Sequence, residues 1–207
     1  MFDRRLIAVQ ERLLAPVARR LADRGVGADA ISIAGFAIGL AAVPLLAISA
    51  FLPALACILA NRLLDGLDGA VARLKGPTDR GAFLDIALDF FFYGAVPVGF
   101  ALADPASNAL PAAILLVSFI GTGSSFLAFA AISHKRGQAI EPFPGKGIQF
   151  VGGLTEGAET IAVFVAMCLV PSAFPVLAYV FAGLALLTTA TRWWWGWSLF
   201  AAPAPRR

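Results

Sequence analysis

The chain has 207 residues, 59% of them hydrophobic and 14% charged, with a net charge of +3 and a mean hydropathy of +0.82. A soluble domain carries about 25% charged residues, so this balance argues against a water-soluble fold and for a bilayer. A single histidine and two cysteines argue against a His- or Cys-built zinc centre. The basic residues flank apolar runs, so the pI of about 9.2 reads as membrane topology and not as nucleic-acid binding.

Residues 2–24 alternate apolar and basic positions at helical spacing. Leu6, Val9, Leu13, Val17 and Leu21 share one face, and Arg4, Arg5, Arg12, Arg19 and Arg20 fall mostly elsewhere. The pattern predicts a helix lying in the membrane interface, too charged to cross it. It lacks the apolar core of a cleavable signal peptide. Apolar runs then predict spans near 31–52, 56–74, 82–103, 109–133, 148–171 and 173–192; each approaches or exceeds the ~20 residues that cross the hydrocarbon. The expected fold is an all-α integral membrane protein with six transmembrane helices and an N-terminal amphipathic interfacial helix. The expected division is a juxtamembrane helix at 1–27, a membrane domain at 28–193 and a cytoplasmic tail at 194–207.

With six spans the basic clusters fall on one side: Arg4 to Arg24, Lys75 with Arg80, Lys135 with Arg136 and Lys146, and Arg192 with Arg206 and Arg207. The opposite loops carry no Lys or Arg, so the basic side is expected to be cytoplasmic. Trp193, Trp194, Trp195 and Trp197 read as an aromatic belt at the end of the last span. Cys57 and Cys168 read as small buried hydrophobes.

Asp65, Asp68, Asp85 and Asp89 lie within this apolar sequence. Asp65 and Asp68 are three apart and Asp85 and Asp89 four apart, so each pair shares a helix face. A short turn around Pro77 joins the two helices. In an antiparallel pair this brings all four carboxylates to one depth, roughly 12–18 Å from the turn. Each carboxylate in the membrane costs at least ~2.5 kcal/mol. Protonation, pairing with Arg62 and Arg73, or bound cations could relieve that cost; a structural ion-pair or proton-relay role is the plainer alternative. Two dications balance four carboxylates, and an all-oxygen ligand set favours a hard ion, Mg²⁺ or Mn²⁺. Gly66, Gly69, Ala70 and Ala72 are small enough to let a ligand or a helix approach.

The pattern Asp65-x2-Asp68-Gly69-x2-Ala72-Arg73 followed by Gly81-x3-Asp85-x3-Asp89 resembles the signature of the CDP-alcohol phosphatidyltransferases. Ala28-Asp29-Ala30-Ile31-Ser32 stands where many members have Pro-Asn-x-x-Thr. The resemblance implies a phospholipid-synthesising transferase that moves a phosphatidyl group from a CDP-linked donor, such as CDP-diacylglycerol, to an alcohol and releases CMP. It implies Asp65, Asp68 and Asp85 as metal ligands, and Asp89 as the general base that also touches metal. Gly69, Ala72, Arg73 and Gly81 then match nucleotide-site positions, with Asp29 and Ser32 as weaker cytidine candidates. It further implies a homodimer, with the small residues 121–125 as a candidate interface, and a bacterial inner membrane with the active site facing the cytoplasm.

For the acceptor, Glu156 and Glu159 suit a cationic alcohol, or pair and brace the helix; Lys135, Arg136 and Lys146 suit a phosphorylated alcohol, or serve topology alone. A divalent-cation transporter using the carboxylate cluster as its ion site is the rival function.

Overall fold

A computed structural model describes residues 2–136, 155 and 157–201 of the chain. Among these residues the fold is entirely helical: α1 Phe2–Asp23, α2 Ala28–Leu40, α3 Ala42–Ala47, α4 Phe51–Lys75, α5 Asp79–Ala103, α6 Pro105–Lys135, α7 Gly157–Leu169 and α8 Phe174–Phe200, with a 3₁₀ turn at Pro171–Ala173.

The expectation of six transmembrane helices is corrected here. Among the described residues, four helical segments are long and apolar enough to cross a membrane: Ala28–Ala47, Asp79–Ala103, Pro105–Lys135 and Pro171–Phe200. The second expected span, α4, is 25 residues long but carries Asn61, Arg62, Asp65, Asp68, Arg73 and Lys75, which make it too polar by composition. The fifth is described only as the 13 residues of Gly157–Leu169. At 1.5 Å per residue that helix covers about 20 Å, short of the ~30 Å hydrocarbon. Counting apolar runs overlooked how far a few charges lower the fitness of a helix to span.

Helix ends follow local chemistry. Gly25, at φ +84°, ends α1: its N–H bonds the Ala22 carbonyl and the Val26 N–H bonds the Leu21 carbonyl. The same pattern ends α3, with Ser49 in the left-handed position at φ 61°. Thr78 caps α5, its hydroxyl accepting from the Gly81 N–H at 3.0 Å. Asp104 caps α6; hydrogen bonds from the Ser107 side chain and amide hold its carboxyl below the usual range.

Packing places α2 against both α4 and α5, while α4 and α5 make little direct contact with each other. Gly39 permits the close approach of α2 to α4, because a Cβ there would stand 2.9 Å from the Asn61 side chain. Asn61 in turn donates to the Gly35 carbonyl at 3.1 Å. The main core gathers Phe92, Phe100, Phe164, Phe174 and Leu115. A second cluster seats α1 on α4 through Leu14, Ala18 and Leu21 against Leu67, Ala70 and Val71. Leu13 and Val17, on the apolar face expected to lie in the membrane interface, are exposed, as suits an interfacial helix that meets both protein and lipid. Exposed Phe91, Leu110, Val117, Ile120, Val176 and Val180 give the outer surface its apolar character. The small residues 121–125 are used within the chain: Gly121 faces Thr189 and Gly123 faces Phe90. Cys57 and Cys168 are free thiols.

Candidate active site

The site forms where α2 packs against both α4 and α5 and the carboxylates of those two helices meet. Asp65, Asp68 and Asp85 each offer a carboxylate oxygen, and these atoms lie within 4.8 Å of one another. Asp68 is buried at 7% exposure, Asp65 is half-buried and Asp85 is exposed. The Ser32 hydroxyl, from α2, donates to Asp68 Oδ2. Arg62 Nη1 donates to Asp65 Oδ2 at 2.5 Å, one turn back on the same helix. Asp89 stands apart from the three-carboxylate group but borders the same small cavity of about 20 Å³, with Ser32, Asn61, Asp65, Asp68 and Asp85. Tyr93 donates to Asp89 Oδ2 at 3.2 Å.

Two like charges at a separation near 4.8 Å repel by roughly 3–4 kcal/mol at an effective dielectric of about 20. Arg62 offsets only part of this. The remaining oxygens converge with no His or Cys among them, so the Asp65, Asp68 and Asp85 pocket is able to coordinate a hard divalent metal.

Beside this group a cavity of about 870 Å³ opens between the start of α2, the end of α4 and the start of α5. Asp29, Ser32, Gly69, Ala72, Arg73 and Gly81 all line it, as do Asp65, Asp68 and Asp85. Its volume lies in the range of sites that enclose a small organic ligand. The lip is braced by ion pairing: Arg80 reaches Asp29 Oδ2 through Nε at 2.6 Å and Nη2 at 2.5 Å. Gly81 sits beneath this pair, and a Cβ there would lie 3.3 Å from Asp29 Oδ1 and 3.2 Å from the Thr78 hydroxyl. Lys75 Nζ donates to the Val26 carbonyl at 2.8 Å and ties the end of α4 to the α1–α2 turn. Arg73 lies over Gly69, its Nη1 3.3 Å from where a Cβ would stand.

The acceptor candidates are dispersed. Glu159 is exposed on the first turn of α7, and Lys135 is exposed at the end of α6. Arg136 donates to the Phe200 carbonyl at 2.7 Å and stacks 5.1 Å from the Phe200 ring centre, closing the end of α8. None of these three borders the two cavities described above. Glu156 and Lys146 lie outside the described residues.

Residues 26–200 match the model of the CDP-alcohol phosphatidyltransferase family. The chain belongs to that family. It is 50% identical to the inner membrane protein YnjF of Escherichia coli over 197 residues, 95% of this chain and 96% of that one. It is 31% identical to the archaetidylinositol phosphate synthase of Methanothermobacter thermautotrophicus over 162 residues, 76% of this chain and 72% of that one. The fold matches a crystal structure of Mycobacterium tuberculosis phosphatidylinositol phosphate synthase with CDP-DAG bound, at a TM-score of 0.66 and 24% identity, covering 95% of this chain and 98% of that one. The protein is therefore a membrane transferase of phospholipid synthesis, moving a phosphatidyl group from a CDP-linked donor to an alcohol. Family membership decides against the cation-transporter reading.

Three contacts of the site escaped the sequence reading, although Asp29 and Ser32 were themselves candidates. The Ser32 contact to Asp68, the Arg80 pairing with Asp29 and the Tyr93 contact to Asp89 join residues to the signature. The first two cross from α2 to another helix and leave no trace in local periodicity. The third was visible as a tyrosine one turn after Asp89, ending the run Phe90-Phe91-Phe92.

Proposed function

We propose that the 870 Å³ cavity receives the cytidine and diphosphate of CDP-diacylglycerol, with the acyl chains in the surrounding lipid. What carries this reading is the convergence of the four signature-derived nucleotide positions, with Asp29 and Ser32, on one cavity next to three clustered carboxylates. Asp65, Asp68, Asp85 and Asp89 would hold two hard dications, Mg²⁺ or Mn²⁺. Bound there, such ions neutralise the carboxylates and screen the charge of the diphosphate. Arg73 offers a guanidinium to the phosphates. Asp89 accepts the proton of the acceptor hydroxyl. The acceptor oxygen bonds to the β-phosphorus as the bond from that phosphorus to the bridging oxygen breaks, and CMP leaves.

The acceptor is a phosphorylated polyol. The likeness to an archaetidylinositol phosphate synthase supports this reading; Lys135 and Lys146 stand as candidate cations for its phosphate on the sequence alone, while Arg136 is engaged with Phe200. The catalytic unit spans 28–193, the cavity opens to the cytoplasm of a bacterial inner membrane, and two copies pair in the membrane, as the family resemblance implies.

The test is CMP release by protein reconstituted in liposomes with CDP-diacylglycerol, Mg²⁺ or Mn²⁺, and a panel of alcohols. Turnover is expected with an inositol phosphate or glycerol 3-phosphate and not with choline, ethanolamine or serine. Turnover confined to the cationic alcohols sinks the acceptor assignment. Failure with every alcohol, in folded protein, sinks the donor assignment too.

A further inference from the structure

Tyr93 occupies a position where packing alone calls for phenylalanine. It follows Phe90, Phe91 and Phe92 in a chain with 17 phenylalanines and two tyrosines. Its ring lies among Phe92, 5.9 Å away, and Phe164, 6.4 Å away, on the edge of the main core. A hydroxyl set in such surroundings costs free energy unless it is bonded. The Tyr93 hydroxyl spends its proton on Asp89 Oδ2, one turn earlier on α5. On its other side it meets the start of α7: a Cβ on Gly157 would stand 3.1 Å from the hydroxyl oxygen. The hydroxyl is thus confined between the Asp89 carboxylate and the first residue of α7.

We propose that Tyr93 is a positioning residue for the transfer reaction: its hydroxyl, given room by the missing side chain of Gly157, fixes the orientation of the Asp89 carboxylate. Asp89 Oδ2 accepts from the phenol, which leaves Oδ1 to face the cations and the acceptor hydroxyl of the proposed reaction. Gly157 is glycine because any side chain there would press on the phenol. The inference rests on the reading of Asp89 as the proton acceptor.

The test uses the full chain in liposomes with saturating Mg²⁺. Tyr93→Phe keeps the ring and removes only the hydrogen bond. The expected result is a fall in kcat of about 10–100-fold, typical of a lost orienting partner, with the donor KM within twofold and the thermal midpoint unchanged. Gly157→Ala, which crowds the hydroxyl without touching Asp89, should lower kcat in the same direction. A purely structural Tyr93 predicts the opposite split: a changed midpoint with kcat intact. Asp89→Asn separates the two claims. Loss of turnover in Asp89→Asn beside wild-type kcat in Tyr93→Phe overturns the positioning role alone. Wild-type kcat in Asp89→Asn overturns the base reading and this inference together.

Discussion

At the scale of the residue, the site depends on how each carboxylate is supported. Asp68 is the most buried of the three clustered aspartates, and its neighbour Ser32 comes from another helix. A ligand oriented by a hydrogen bond holds a cation better than one free to rotate, and losing such a partner commonly costs 10–100-fold in affinity. Ser32→Ala should therefore weaken Mn²⁺ binding about tenfold, read by the disappearance of the free-ion signal in electron spin resonance. Unchanged Mn²⁺ affinity would remove Ser32 from the site. The signature aspartates were legible because four acids in an apolar run demand an explanation, and their spacing puts each pair on one face. Ser32 was legible only as a weak motif match, since a serine in a helix is unremarkable until its partner is known. Asp29 shows the reverse. It was read as a nucleotide contact and lines the cavity, and it also meets Arg80 across the lip, an interaction that no spacing rule connects.

At the scale of the element, helix termination explains the boundaries. Pro44 lacks the N–H that would continue α2 into α3, and the chain breaks at Ala41. Ser49 then takes the left-handed conformation that normally falls to glycine, at a cost of roughly 1 kcal/mol for a residue with a Cβ. Ser49→Gly should stabilise the protein by up to about 1 kcal/mol, offset in part by the greater freedom of glycine in the unfolded chain. Chemical denaturation in detergent measures this, and a loss of stability would show that the Ser49 side chain contributes more than its strain. The amphipathic character of α1 was legible from its 3.6-residue period, but which stripe faces protein was not. Leu14, Ala18 and Leu21 face α4, whereas Leu13 and Val17 face outward. Both stripes are apolar enough for either environment, so only the position of α4 distinguishes them.

At the scale of the whole molecule, the proposed topology rests on charge. Lys75 and Arg80 flank the cavity lip, and the proposed orientation puts them in the cytoplasm. A cysteine at Lys75, in a chain with Cys57→Ala and Cys168→Ala, should react with an impermeant maleimide in inside-out vesicles and not in intact cells. Labelling in intact cells would invert the topology. Composition pointed to a membrane, because 59% apolar residues suit no soluble fold, and the long apolar runs pointed to helices. The signature spacing pointed to the aspartates that cluster, because helical geometry converts intervals of three and four into shared faces. The tertiary structure alone decided that α2 packs against both aspartate helices, and that the gap beside their carboxylates has the volume of a ligand site. Those outcomes depend on packing between segments distant in sequence, and a one-dimensional pattern contains the period of a helix but not the identity of its neighbours.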